Sequence, residues 1–233
     1  MNDYSPKAIL EVAAESDLFG EDSPCPILLE DGELPDVWVI SGENAGGKSI
    51  LCKAIQGKLQ AIAKRDKQRF VAMRVGMDMR TDSGIVRGMM FGSEQDDSTG
   101  NNSVHTALTG LKNARERNEL HWLILDEPDI GLGAGYRKAL GEVFADFAKN
   151  LPEKTLGFMV VTHSPEIAGP LIEAGASSIR VGPDRRPVRE WLRDGDLPKT
   201  FEDLQNLKHV ARQIWREIED VTRNRDKAAA PRR

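Results

Sequence analysis

Three short blocks of this chain have residue types and spacing suited to phosphate chemistry. The first, Gly42–Ser49 (GENAGGKS), fits the pattern G-x-x-x-x-G-K-[ST]. Glycines let backbone N–H groups converge on a phosphate without a side chain in the way. A helix starting near Lys48 would point its positive end at the same anion. Lys48 can neutralise phosphate charge, and the Ser49 hydroxyl suits Mg²⁺. The second block, Leu123–Pro128 (LILDEP), is an apolar run ending in two acids. Asp126 can hold Mg²⁺ through water, and Glu127 can polarise an attacking water as a general base. The third, Val160–Glu166 (VVTHSPE), sets His163 at the end of another apolar run, within reach of a terminal phosphate. Each block has an ordinary reading on its own: a glycine-rich loop, a solvated turn, a structural histidine. Their order along the chain favours one shared site.

Such a site needs strands that end where these residues begin. Val37–Ser41, Phe70–Val75, His121–Leu125 and Gly157–Thr162 are short apolar runs rich in β-branched residues, which read as buried strands. Helical spacing predicts helices over Pro6–Ala14, Ser49–Lys64, Ser103–Arg117, Ala134–Asn150 and Pro165–Ala174. Ser178–Val181 and Val188–Leu192 read as a closing strand pair around the turn at Gly182-Pro183. The alternation predicts an α/β fold with a largely parallel sheet covered by helices on both faces. An N-terminal segment, 1–36, contributes to the nucleotide-binding lobe, and a core spans 37–195. An amphipathic C-terminal helix falls within 196–226, with apolar residues at Leu204, Leu207, Val210, Ile214, Ile218 and Val221. It either packs on its own domain or receives a partner. Residues 227–233 read as a disordered tail.

Composition narrows the setting. A formal charge of −5 over 233 residues gives no global basic field to attract nucleic acid or an anionic membrane. Cys25 and Cys52 form no metal-ligand motif and read as reduced thiols. No apolar run is long enough to span a bilayer and the N-terminus has no signal-peptide pattern, so the expectation is a cytoplasmic protein with no membrane insertion.

Together the three blocks resemble the ABC ATPase superfamily of P-loop NTPases over about residues 37–170. The wording of Gly42–Ser49 is similar to the G-x-N-x-G-G-K-S form of the MutS mismatch-repair ATPases, and SMC-type proteins also carry the Asn. The resemblance implies an ATPase that holds ATP with Gly42, Asn44, Gly46, Gly47, Lys48 and Ser49, and Mg²⁺ with Ser49 and Asp126. Glu127 would activate water and His163 would sense the terminal phosphate. It further implies an ATP-sandwiched homodimer, or a pair with a related ATPase chain, in which Ser98 reaches the partner's nucleotide. The alternative for Ser98 is a polar loop capping the following helix. The chain departs from the transporter L-S-G-G-Q, carries Gly133 where a D-loop aspartate is usual, and offers only Asp78 for the Q-loop position. The wording points to DNA repair, recombination or genome defence, with DNA bound directly or through a partner. A transporter-energising subunit and an ATP-holding regulatory module are the other readings.

Overall fold

The computed structural model describes residues 4–76 and 98–229. Its elements in chain order are α1 (Pro6–Ala14), β1 (Ile27–Glu30), β2 (Leu34–Gly42), α2 (Lys48–Asp66), β3 (Phe70–Gly76), α3 (Thr99–Glu116), β4 (Leu120–Asp126), α4 (Ala134–Lys149), β5 (Thr155–Val161), α5 (Pro165–Glu173), β6 (Ala176–Val181), α6 (Val188–Asp194) and α7 (Phe201–Ala229). Six strands form one sheet in the order β1-β6-β2-β5-β4-β3. All neighbours are parallel except β1, which runs antiparallel to β6 along the edge.

The expected α/β sheet with helices on both faces is what the chain builds. Successive residues of a strand point to opposite faces, and here both faces are apolar, as strands buried on two sides require. Val37, Val39, Leu123, Leu125, Phe158 and Val160 pack with α3, α4, α5 and α6. The intervening Trp38, Ile40, Trp122, Ile124, Met159 and Val161 pack with α1, α2 and Ile218 of α7. The buried tryptophans satisfy their indole N–H groups: Trp38 donates to Pro35 O and Trp122 to Tyr4 O. Among the described residues, no helix is long and apolar enough to cross a membrane.

The sheet differs from expectation at its edge. Val188–Leu192 is not a strand but lies in α6, and the antiparallel partner of β6 is β1, from the N-terminal segment. Val188 and Trp191, three apart, are the buried pair, which is a helical spacing; over five residues it cannot be told from alternation. Pro187 precedes the first helical residue, and the Glu30 carboxylate of β1 accepts the Val188 N–H at 2.7 Å. Two other boundaries move. α3 starts at Thr99 rather than Ser103, because Ser98 caps it and accepts the Asn101 N–H at 3.3 Å. α7 runs through Ala229, into the stretch assigned to the tail; residues 230–233, like Asp78 and Asp97, lie outside the described residues.

Beneath the end of β6 lies a buried ionic cluster. Arg180 is 1% exposed and packs on the Trp191 ring, 4.8 Å from its centre. It donates to Ser41 Oγ at 3.3 Å and to Asp184 Oδ2 at 2.6 Å. Asp184 also accepts three bonds from Arg186, two from its guanidinium at 2.9 and 2.8 Å and one from its backbone N–H at 3.2 Å. The Arg186 contacts, with Arg180 close by, hold the Asp184 carboxyl down at about 2.

Candidate functional site

Parallel strands bring their carboxyl ends to one edge of a sheet, and crossovers leave a crevice there. In this chain β5 lies between β2 and β4. The residues that follow β5 therefore sit between the loop after β2 and the acids that end β4. The ladder continues past the strand ends: Thr162 N–H donates to Ile40 O at 3.0 Å, and Glu127 N–H to Val161 O at 2.9 Å. These two bonds fix His163 and Glu127 side by side.

The loop Gly42–Gly47 is held down by backbone packing. Gly42 has φ 150°, and a Cβ there would stand 2.1 Å from Val181 O. Gly47 has φ 106° and a Cβ would meet Cys25 Sγ at 2.5 Å, so only glycine suits the last position before α2. The tight floor formed by Val181, Gly182 and Cys25 explains why the loop is glycine-rich beyond the needs of turning. α2 starts at Lys48 with no side chain capping it; Ile50 N–H and Leu51 N–H turn back to Gly47 O at 3.0 and 2.9 Å, so the amides of Lys48 and Ser49 precede the first helical bonds.

Lys48 is 6% exposed and its ammonium is folded over the loop, donating to Gly42 O and Glu43 O at 3.0 Å each. Burial lowers its pKa to about 8, against the raising influence of nearby Glu127 and Asp126. It thus remains mostly charged at neutral pH. A cation held by two carbonyls at the N-terminus of a helix is arranged to receive an anion.

Asp126 is buried at the end of β4 and forms an ion pair with Arg74 of β3, which donates from Nε at 3.0 Å and from Nη2 to the same oxygen. Glu127 has φ 50°, an uncommon left-handed backbone for a residue with a side chain, of the kind that clusters at functional sites. Its Oε1 lies 3.2 Å from His163 Nε2. The bond from His163 is the main influence holding the Glu127 carboxyl below its ordinary value, with Lys48 and Arg74 adding to it and burial opposing. The next layer fixes this pair. Thr162 Oγ1 donates to the buried Asp129 at 3.1 Å and accepts Ser164 N–H at 2.9 Å. Ser164 then caps α5, accepting Ile167 N–H at 3.3 Å, with Pro165 at the first helical position.

Asn44, Gly46, Gly47, Lys48, Ser49, Glu127 and His163 line one cavity of about 200 Å³. Asp126, the residue before Glu127, is not among its lining residues. Ser98 is not in this cavity. It lines a separate groove with Gly131, Leu132, Gly133 and Tyr136, where Ser103 Oγ donates to Ile130 O at 2.7 Å and ties α3 to the loop after Glu127. Among the described residues, no group of three or more His, Cys, Asp or Glu could hold a metal. One carboxylate and one hydroxyl, at Asp126 and Ser49, fit Mg²⁺, which is usually held by one or two protein groups together with substrate phosphates and water.

Sequence reasoning missed three contributors. Arg74 breaks an otherwise apolar strand, and that was its signal. Lys199 pairs with Glu43 at 2.7 Å. Ala211, Ile214 and Trp215 of α7 complete the cavity wall; nothing in the motifs points to so remote a segment.

No protein-family model matches the chain, and no match was found among curated proteins. Among solved structures, the fold is similar to that of the Orc1 protein of Aeropyrum pernix, determined in complex with DNA. The identity is 16% and the TM-score 0.38, over 78% of this chain and 44% of that one.

Proposed function

We propose that this chain is an ATPase that binds Mg²⁺–ATP at Gly42–Ser49 and hydrolyses it with Glu127 as general base. The observation that carries the reading is the meeting of Lys48, Ser49, Glu127 and His163 around one cavity, with Asp126 buried next to Glu127 at the end of β4. Lys48 exchanges its two carbonyl partners for β- and γ-phosphate oxygens, and the loop and first-turn amides of α2 take the remaining charge. Mg²⁺, when bound by Ser49 and Asp126, offsets charge developing on the β- and γ-oxygens. Glu127, ionised at neutral pH and steadied by His163, orients a water and accepts its proton as it attacks the γ-phosphorus. His163, hydrogen-bonded to that base and lining the same cavity, is positioned to respond when the γ-phosphate leaves.

In this proposal two such chains, or this chain and a related one, close on ATP in the manner of ABC-type heads, with Ser98 facing the partner's nucleotide. ATP favours the closed pair because only there does the other chain's Ser98 add its contact to the γ-phosphate, and hydrolysis reopens it. Ser98 in the groove beside Tyr136, away from its own cavity, is consistent with contact in trans. The use in DNA repair, recombination or genome defence rests on the similarity of Gly42–Ser49 to the MutS-type wording.

Glu127→Gln tests the reading. The variant is expected to bind ATP with affinity near wild type, to lose turnover by about a hundredfold or more, and to double in mass by light scattering in Mg²⁺–ATP. Turnover at the wild-type rate removes Glu127 as base; a mass unchanged by ATP removes the sandwich.

A further inference from the structure

The motif residues alone do not close the cavity above the phosphate loop. At about 200 Å³ it is smaller than the ~300–1,000 Å³ typical of sites that enclose a whole small-molecule ligand. A nucleotide held there by its phosphates must carry its base out to the rim. The rim on the α2 side is Ile50 and Lys53, which follow Ser49 along the helix and lead away from the loop. Opposite them, from the far end of the chain, come Ala211, Ile214 and Trp215 of α7.

Four tryptophans occur in the chain. Trp38, Trp122 and Trp191 are no more than 1% exposed and each indole N–H meets an internal acceptor. Trp215 is 50% exposed and borders the cavity. An isolated exposed aromatic is common, but this one sits on a docked helix. Ile218, one turn on, is 7% exposed in the core cluster that includes Cys25, the residue under Gly47, and Ile214 packs against the same cluster. Lys199, just before the helix, is tied to Glu43 of the phosphate loop. The ring is therefore supported beside the loop from both directions. The Lys53 ammonium lies over the ring, 6.0 Å from its centre, at the outer limit of a cation–π contact. That arrangement leaves the ring available and adds a positive group near the ribose and phosphates.

We propose that Trp215 is the stacking platform for the base of the bound nucleotide, so that α7 is a wall of the nucleotide site. The ligand class is a purine nucleoside triphosphate. Stacking accepts any base, because each has a π face, but favours the larger purine surface. The inference rests on the reading of Gly42–Ser49 as an ATP site, and tripolyphosphate separates the two, since it carries the phosphates without a base.

In the wild-type chain, ATP is expected to shield tryptophan fluorescence from acrylamide, because Trp215 supplies the accessible signal, while tripolyphosphate competes with ATP yet gives no shielding. By calorimetry, Trp215→Ala is expected to weaken ATP binding roughly 5- to 150-fold, the span of one lost base–aromatic stack. Tripolyphosphate affinity should stay within twofold, and Trp215→Phe should restore ATP affinity to within a few-fold. Lys48→Ala should lose both ligands. If Trp215→Ala binds ATP like wild type while Lys48→Ala does not, the platform is overturned and the phosphate site stands. Equal weakening of ATP and tripolyphosphate by Trp215→Ala also overturns it, by showing a general loss of the site. A wild-type chain that binds neither ligand overturns both readings.

Discussion

Asp184→Asn is expected to destabilise the fold by about 3 kcal/mol, and by an amount that shrinks in acid. The substitution leaves Arg180, 1% exposed, without its counter-charge. Breaking a buried ion pair from one side costs about 3–5 kcal/mol. The lower end applies because the asparagine carbonyl still accepts one bond and Arg186, 22% exposed at its side chain, remains nearby. The charge-dependent part follows from the carboxyl itself. A fall from 3.8 to about 2 corresponds to about 2 kcal/mol of stabilisation. Because the folded value lies below the ordinary one, this stabilisation is complete above about pH 4 and disappears as the pH falls through 2. The deficit of the variant against wild type should therefore be largest at pH 7 and narrow between pH 4 and pH 2. For a chain of this length, 3 kcal/mol is about 6–12 °C in Tm. Thermal and urea unfolding followed by circular dichroism at pH 7, 4, 3 and 2.5 would measure both quantities. Arg186→Ala, which removes only the more exposed partner, should cost about 1 kcal/mol. A deficit under 1 kcal/mol at pH 7, or one that stays constant into acid, refutes the assignment of this cluster as a stabilising support beneath the phosphate loop.

Gly47→Ala should cost at least tenfold in ATP affinity and about 2 kcal/mol or more in stability, from a left-handed φ of 106° and a Cβ at 2.5 Å from Cys25 Sγ. Adding Cys25→Ala should not rescue it, because the Cys25 Cβ is itself 2.7 Å away; calorimetric titration and urea unfolding read both effects. Arg74→Ala frees the Asp126 carboxylate from its ion pair, so the Mg²⁺ concentration needed for half-maximal ATP binding should fall several-fold while the nucleotide-free fold loses about 1–3 kcal/mol. A Mg²⁺ dependence unchanged by that substitution would show that Arg74 and the cation do not compete for Asp126.

The architecture was legible where pattern and burial agree. Trp38-Val39-Ile40 and Leu123-Ile124-Leu125 are apolar at every position because their alternate side chains enter two different core clusters, and only a doubly covered sheet asks for that. The loop, the acids and His163 were legible because phosphate chemistry demands particular residues at fixed offsets from strand ends. The edge of the sheet was not. Val188–Leu192 is too short for its period to be read, and β1 is a four-residue strand identified only by what it pairs with. Arg74 and Trp215 escaped for a further reason. Each meets a neighbour brought to it by the fold, Asp126 across a strand pair and the Gly42–Gly47 cavity across more than half the chain; Arg74 shows locally only as a charge in an apolar run, and Trp215 not at all. Helical periodicity in α7 showed an apolar stripe but not its division of labour: Ile218 is buried, whereas Leu204 and Val210 remain 65% and 43% exposed.

The central position of β2 also sets an order of assembly. Its neighbours in the sheet are β5 and β6, not the strands next to it in the chain: Ile40 pairs with Val161 and with Ile179, and Gly42 with Val181. During synthesis the Gly42–Gly47 loop leaves the ribosome more than a hundred residues before its floor at Val181–Gly182 and the strand that leads to His163. Pairings between such distant segments are slow to close, and until they do the apolar faces of β2 have no sheet to join. The nascent chain therefore completes the floor and wall of this cavity only once β5 and β6 have emerged, and the interval between β2 and β6 is when it most depends on protection from aggregation.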